Sequence, residues 1–145
     1  MQAEPTVRTV IGFDFGLKRI GLATGQTITG TASPLVTLQA VNQSPDWSAI
    51  EDRIRQWRPD ALIVGIPYLL DGGETDITRA ALKFSRQLEH RFGLPVFTID
   101  ESLSSAEAEA QLKQGLKLAK HNKHEIDKMA AAVIVQSWLD SQQDR

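Results

Sequence analysis

The 145-residue chain balances 16 Lys and Arg against 18 Asp and Glu, for a formal net charge of −2, and contains no cysteine. Disulfides, thiolate catalysis, zinc ribbons and iron–sulfur clusters are thereby excluded, which leaves carboxylates, histidines and lysines as the reactive groups and makes any metal a hard, oxygen-bound one. The acidic balance excludes coating of nucleic acid by overall positive charge, no apolar run is long enough to span a bilayer, and the opening Met-Gln-Ala-Glu-Pro-Thr has no secretory character; one domain, 1–145, in the cytoplasm and without a membrane partner is expected.

The first element is a hairpin. Residues 7–15 have the β-branched and aromatic content of a buried strand, and alternation puts Val10, Gly12 and Asp14 on one face, with Ile11, Phe13 and Phe15 on the other. Asp14 stands where an apolar residue is expected, and an ionised carboxylate there costs several kcal/mol, on the order of the desolvation penalty of an ion, unless a cation or hydrogen-bond donors compensate. Gly12 and Gly16 flank it and allow a ligand, a metal or another backbone to come close. Lys18 and Arg19 in the following turn add phosphate-pairing groups. Two readings stay open: a metal-and-phosphate site, or an Asp that ends the strand and bonds the turn.

Residues 28–38, with Ser33-Pro34 inside, read as a third strand at or near a sheet edge. Between Ser44 and Arg58 the period changes: Trp47, Ile50, Ile54 and Trp57 lie on one helical face, which makes the tryptophans core residues rather than base-stacking platforms. Pro59 ends this helix, and residues 61–67 form a continuous apolar run typical of a strand covered on both faces. After the Asp71-Gly72-Gly73 loop, a helix burying Ile77, Ala81, Phe84 and Leu88 ends near Gly93. Residues 95–101 read as another buried strand, closed by Asp100 and Glu101. Residues 102–120 look helical, with Ser104 or Ser105 as N-cap and Gly115 weakening the helix; a last helix spans about 123–140, with Asn122 and Glu125 as a capping pair. Asp127 falls one turn before Ala130 and Ala131 on the apolar stripe of that helix, so its carboxylate is expected to face the sheet. Lys113, Lys117, Lys120, Lys123 and Lys128, with His121 and His124, form a basic segment that is either a phosphate-backbone contact or a solvated helix face.

The order of elements gives an α/β domain with a mixed five-stranded sheet flanked by helices. Asp14, Glu101 and Asp127 occupy positions that propensity does not explain. If the first and last parallel strands are close and the final helix packs across them, the three acids meet at one edge of the sheet. Carboxylates held together raise one another's pKa unless a divalent cation such as magnesium or manganese neutralises them, and two such ions about 4 Å apart can drive hydrolysis of a phosphodiester.

The same residues carry a family resemblance. Ile-Gly-Phe-Asp14-Phe-Gly-x-Lys-Arg-Ile-Gly-Leu-Ala, Val64-Gly-Ile-Pro67 with Gly72, Asp100-Glu101-x-Leu-Ser-Ser and Ile126-Asp127-x-x-Ala-Ala together resemble the YqgF/RuvX family of Holliday junction resolvase-like, pre-16S rRNA nucleases, over nearly the whole chain. The resemblance implies an RNase H-like fold, a cytoplasmic nuclease and a role in processing the 5′ end of pre-16S rRNA in ribosome biogenesis, with Mg2+ or Mn2+ the cofactor that the gathered carboxylates call for. Asp14, Glu101 and Asp127 match the family's proposed catalytic acids and are the expected metal ligands, and Lys18, Arg19 and Lys123, from the turn and the basic segment, are the expected nucleic-acid contacts. The chain departs from the family at Ser102, where Arg is common, and at His124, where related resolvases bring a second acid; His124 is either a neutral metal ligand or solvated.

Two other functional classes compete. Actin-like and sugar-kinase ATPases open with a similar strand and turn, but they need two lobes where this length supplies one. A nucleic-acid or ribosome-associated binding module without turnover accounts for the acidic balance as readily as a nuclease does, and it predicts binding that survives loss of Asp14. Branched DNA is the alternative substrate to ribosomal precursor RNA, and no dimer surface is legible in the sequence.

Overall fold

The computed structural model describes residues 7–101 and 123–143. The alternating run after Arg8 forms β1 (Thr9–Asp14), which turns into β2 (Arg19–Gln26), and β3 (Thr31–Gln39) completes an antiparallel meander. Pro34 lies on β3, an edge strand, beside a register shift between Leu22 and Ala23 of β2, the kind of place where a residue without an N–H fits. Helix α1 (Trp47–Trp57) is capped by Asp46, whose carboxylate accepts from the Ala49 N–H at 3.1 Å, and it stops at Arg58 in the left-handed region (φ 48°) just before Pro59. β4 (Ala61–Ile66) pairs parallel with β1 and is buried along its whole length. Helix α2 (Asp76–Phe92) opens on a reciprocal cap between Thr75 and Thr78 and closes at Gly93 (φ 65°). β5 (Val96–Asp100) pairs parallel with β4, and α3 (Lys123–Gln143) follows. The sheet order is β3-β2-β1-β4-β5.

Each face of the sheet carries its own core. Ile11, Phe13, Leu22, Leu62 and Val64 face α1 and α2, where Phe84 meets Phe13, Phe15 and Trp47 at ring-centroid distances of 5.5, 4.9 and 5.5 Å. Trp47 and Trp57 pack against this core, as the helical period predicts. On the other face Val10, Ala23, Ala61 and Ile63 receive Ala131, Ile134, Val135, Trp138 and Leu139 of α3. Gly12, Gly21 and Gly25 are interspersed with these residues under α3, so the helix sits close to the backbone of the sheet.

Several expectations are corrected. β5 is an edge strand with Phe97 40% exposed, not a buried one, because it is last in the sheet order; Phe97 is partly covered through its ring contact with Trp138 at 5.6 Å. The position of full burial on α2 is Thr78 rather than the half-buried Ile77, since the Thr78 hydroxyl donates to the Pro67 carbonyl at 2.6 Å and needs no water. The third strand starts at Thr31 because residues 27–30 turn, with the Gly30 N–H donating to Gln26. The helix read over 102–120, its caps and Gly115, together with Lys113, Lys117, Lys120, His121 and Asn122, lie outside the described residues. Among those described, no helix is long and apolar enough to cross a membrane.

Candidate active site

Strand alternation delivers Asp14 to the α3 face of the sheet at the end of β1, two residues beyond Gly12. Its antiparallel partner is Gly21 of β2, and a Cβ on Gly21 would overlap the backbone of Asp127. The first part of α3 therefore lies directly over the Asp14/Gly21 pair, which brings Asp127 to the same end of the sheet as Asp14. Only a residue without a side chain permits that approach.

Glu101 follows β5 immediately, and β4 stands between β5 and β1. The two outer parallel strands are thus one strand further apart than direct neighbours, and Gly65 compensates. A Cβ on Gly65 would collide with the Glu101 carboxylate and the Ile134 side chain, so Glu101 lies over β4 in the space that a side chain at this position would fill. An isolated Gly inside the apolar run of residues 61–66 is the sequence signal for such close approach, whereas what Gly21 and Gly65 make room for is not legible in the motifs alone.

Burial pushes the Asp14 carboxyl up to about 8, with the nearby charges of Glu101 and then Asp127 adding to the effect. Burial likewise raises Glu101 to about 7, and the adjacent Asp100 contributes. Asp127 is instead paired: its Oδ2 accepts from Arg19 Nε at 2.7 Å, with the two side chains 22% and 27% exposed. Arg19, expected as a phosphate contact, thus commits its Nε to the helix carboxylate. Lys18 is exposed on the turn beside it, and Lys123 and His124 belong to the first turn of α3. Gly12 and Gly16 do not open a path for a ligand; Val135 occupies the space above Gly12 and the Arg19 carbonyl that beside Gly16. Among the described residues no three Asp, Glu or His side chains stand close enough to hold a metal ion together.

The described elements form a mixed five-stranded sheet with acids at the ends of β1 and β5 and on a covering helix. RuvC of Thermus thermophilus in complex with a Holliday junction superposes with a TM-score of 0.59 over 94% of this chain and 96% of that one at 19% identity. The Fowlpox virus resolvase with Holliday junction DNA gives 0.58 over 92% and 98% at 12% identity. The fold is therefore the RNase H-like fold of RuvC-like resolvases. The family model described as "RuvX: Holliday junction resolvase" matches residues 8–141, and the chain belongs to the RuvX family. A relative named "Putative pre-16S rRNA nuclease" from Pseudomonas fluorescens Pf-5 is 44% identical over 135 residues, covering 92% of this chain and 93% of its own. One of the same name from Shewanella denitrificans is 43% identical over 137 residues, covering 94% and 97%.

Proposed function

We propose that this chain is a metal-dependent endonuclease that hydrolyses phosphodiester bonds at the 5′ end of pre-16S rRNA in the cytoplasm, with Asp14, Glu101 and Asp127 as its catalytic carboxylates and the ligands of Mg2+ or Mn2+. The observation that carries this reading is the close approach over Gly21 and Gly65 that brings Asp127 and Glu101 to the end of the sheet carrying Asp14, where their charges add to the rise of its pKa. Such a cluster opposes its own ionisation, and a divalent cation reverses the sign of that effect. The donor set fits a hard cation: all three groups offer carboxylate oxygens, and the chain has no thiol to attract a softer one. When bound, such a cation activates water and offsets the charge that builds on the phosphate.

The residues divide the remaining work. Asp14 and Glu101, from β1 and from the end of β5, supply the buried charge that holds the cation. Arg19 positions Asp127 from β2, so the third carboxylate is oriented before any ligand arrives. Lys18 and Lys123 are the cationic residues assigned to phosphate contact, and Arg19 joins them through the guanidinium nitrogens that the Asp127 contact does not use.

The test compares wild type with Asp14→Asn, Glu101→Gln and Asp127→Asn, in magnesium, manganese or chelator, on a 5′-extended ribosomal RNA fragment and a four-way DNA junction. Metal-dependent cleavage of the RNA is expected, reduced about 100-fold or more in each variant, the equivalent of roughly 3 kcal/mol in the barrier. Preferential cutting of the junction would transfer the same site to branched DNA, the substrate in the family's own description. Binding without cleavage, indifferent to Asp14→Asn, would make the protein a binding module.

A further inference from the structure

The outer face of α2 carries a line of basic residues on a chain whose net charge is −2. At about 100° per residue, Arg79, Lys83, Arg86 and His90 fall within an arc of about 60°, directly opposite the buried Ala81, Phe84 and Leu88, and they extend along about 17 Å of helix. All four are exposed. Arg79 pairs with Asp76 at 2.7 Å, whereas Lys83, Arg86 and His90 make no ion pair among the described residues. Beside the line lies a groove of about 950 Å³ between α1 and α2, which Lys83, Arg86, His90 and Arg91 also line. The one acid in that lining, Glu51, is already paired with Arg55 at 2.7 Å. Arg91 is held with its guanidinium 4.1 Å from the Trp47 ring centroid, and Phe84, stacked at 5.5 Å, and Phe92, tilted at 6.3 Å, also meet that ring. With its ring engaged by these three residues, Trp47 is no platform for a base, and the groove offers cations rather than stacking.

We propose that this face is a second nucleic-acid contact, which grips the phosphate backbone of the substrate outside the cleaved segment. The course of the helix supports this. Thr78 bonds the Pro67 carbonyl just past β4, so α2 starts at the end of the sheet that carries Asp14 and Glu101 and runs away from it. A strand leaving the acidic site over that edge meets Arg79 first, then Lys83, Arg86 and His90. The acids repel phosphates that no cation covers, and a separate cationic track holds the substrate without placing more positive charge among the catalytic carboxylates. The line and groove match a repeating anion, and no base-specific readout is called for. The proposal rests on the nuclease reading above for the identity of its ligand.

The experiment measures binding and cleavage separately. Lys83→Glu/Arg86→Glu and the milder Lys83→Gln/Arg86→Gln are titrated, in chelator, with a long 5′-extended rRNA fragment across a salt series, and polyglutamate serves as a competing probe. Both variants are expected to bind more weakly, about 10-fold for the charge reversal, with the slope of log K against log salt reduced by about 1.5 for two lost phosphate contacts. The cleavage rate at saturating RNA, and cleavage of an oligonucleotide too short to reach α2, are expected to stay at the wild-type level. An unchanged affinity and salt slope in both variants would overturn the proposal, as would polyglutamate displacing the RNA at equal charge concentration, which would assign the face to an acidic protein. If wild type cleaves nothing while the variants still lose RNA binding, the nuclease reading fails and the contact stands.

Discussion

Protonated, Asp14 costs the fold little; ionised, it faces burial and the charges of Glu101 and Asp127, and its pKa of about 8 against an ordinary 3.8 measures the difference. Between those two values the unfolded chain releases the proton and the folded chain retains it. Stability is therefore fully present below about pH 3.8 and falls as pH rises towards 8, and Glu101, raised from 4.5 to about 7, acts in the same direction. In chelator at pH 8, Asp14→Asn is expected to raise Tm by about 3 °C or more, and the gain should vanish near pH 4. A shift of equal size at both pH values would mean that charge is not the cause. Arg19→Ala is expected to leave Asp127 uncompensated and move the midpoint of this pH dependence upward, with Arg19→Lys restoring part of it; thermal melts across pH read both. The misfit of Asp14 is legible in the alternation of β1, because one polar residue among apolar ones declares itself locally. The Arg19 pair is not, since its partner lies 108 residues away and no local pattern links the two.

At the scale of elements, the position of α3 is set by what the strands lack. Gly21→Ala would drive a methyl into the backbone of α3, which has no rotamer to yield, so a loss of about 3 kcal/mol or more in urea denaturation is expected. Gly65→Ala meets the movable ends of Glu101 and Ile134 instead. It should cost less stability than Gly21→Ala but reduce kcat with little change in KM, because it displaces Glu101, one of the proposed catalytic carboxylates. Equal losses of stability at the two positions would count against this distinction. Periodicity located α1 and α2, where the solvent-facing and core-facing residues differ, and an unbroken apolar run located β4. It misjudged β5, because an apolar run looks the same at the edge of a sheet as in its middle, and only pairing order tells them apart. Thr78 escaped for a related reason: its burial depends on one carbonyl, that of Pro67, in another element.

Across the whole molecule, the two cores differ in how far apart in the chain their parts lie. The α1/α2 core draws on β1 to β4, whereas the α3 core joins the same strands to a helix that begins at Lys123. A divalent cation that binds the folded site alone should raise Tm at pH 8, by the equivalent of about 2.7 kcal/mol at 100 times its Kd, and should not do so in Asp14→Asn. Pulse-labelled hydrogen exchange during refolding is expected to protect β1, β4 and α2 before α3, since contacts of greater sequence separation form later. The same separation bears on synthesis. Of the described elements α3 leaves the ribosome last, and until it docks, Asp14 and Glu101 lack Asp127. For a nuclease proposed to act on a ribosomal RNA precursor, the proposed catalytic set is incomplete for as long as the nascent chain stops short of α3.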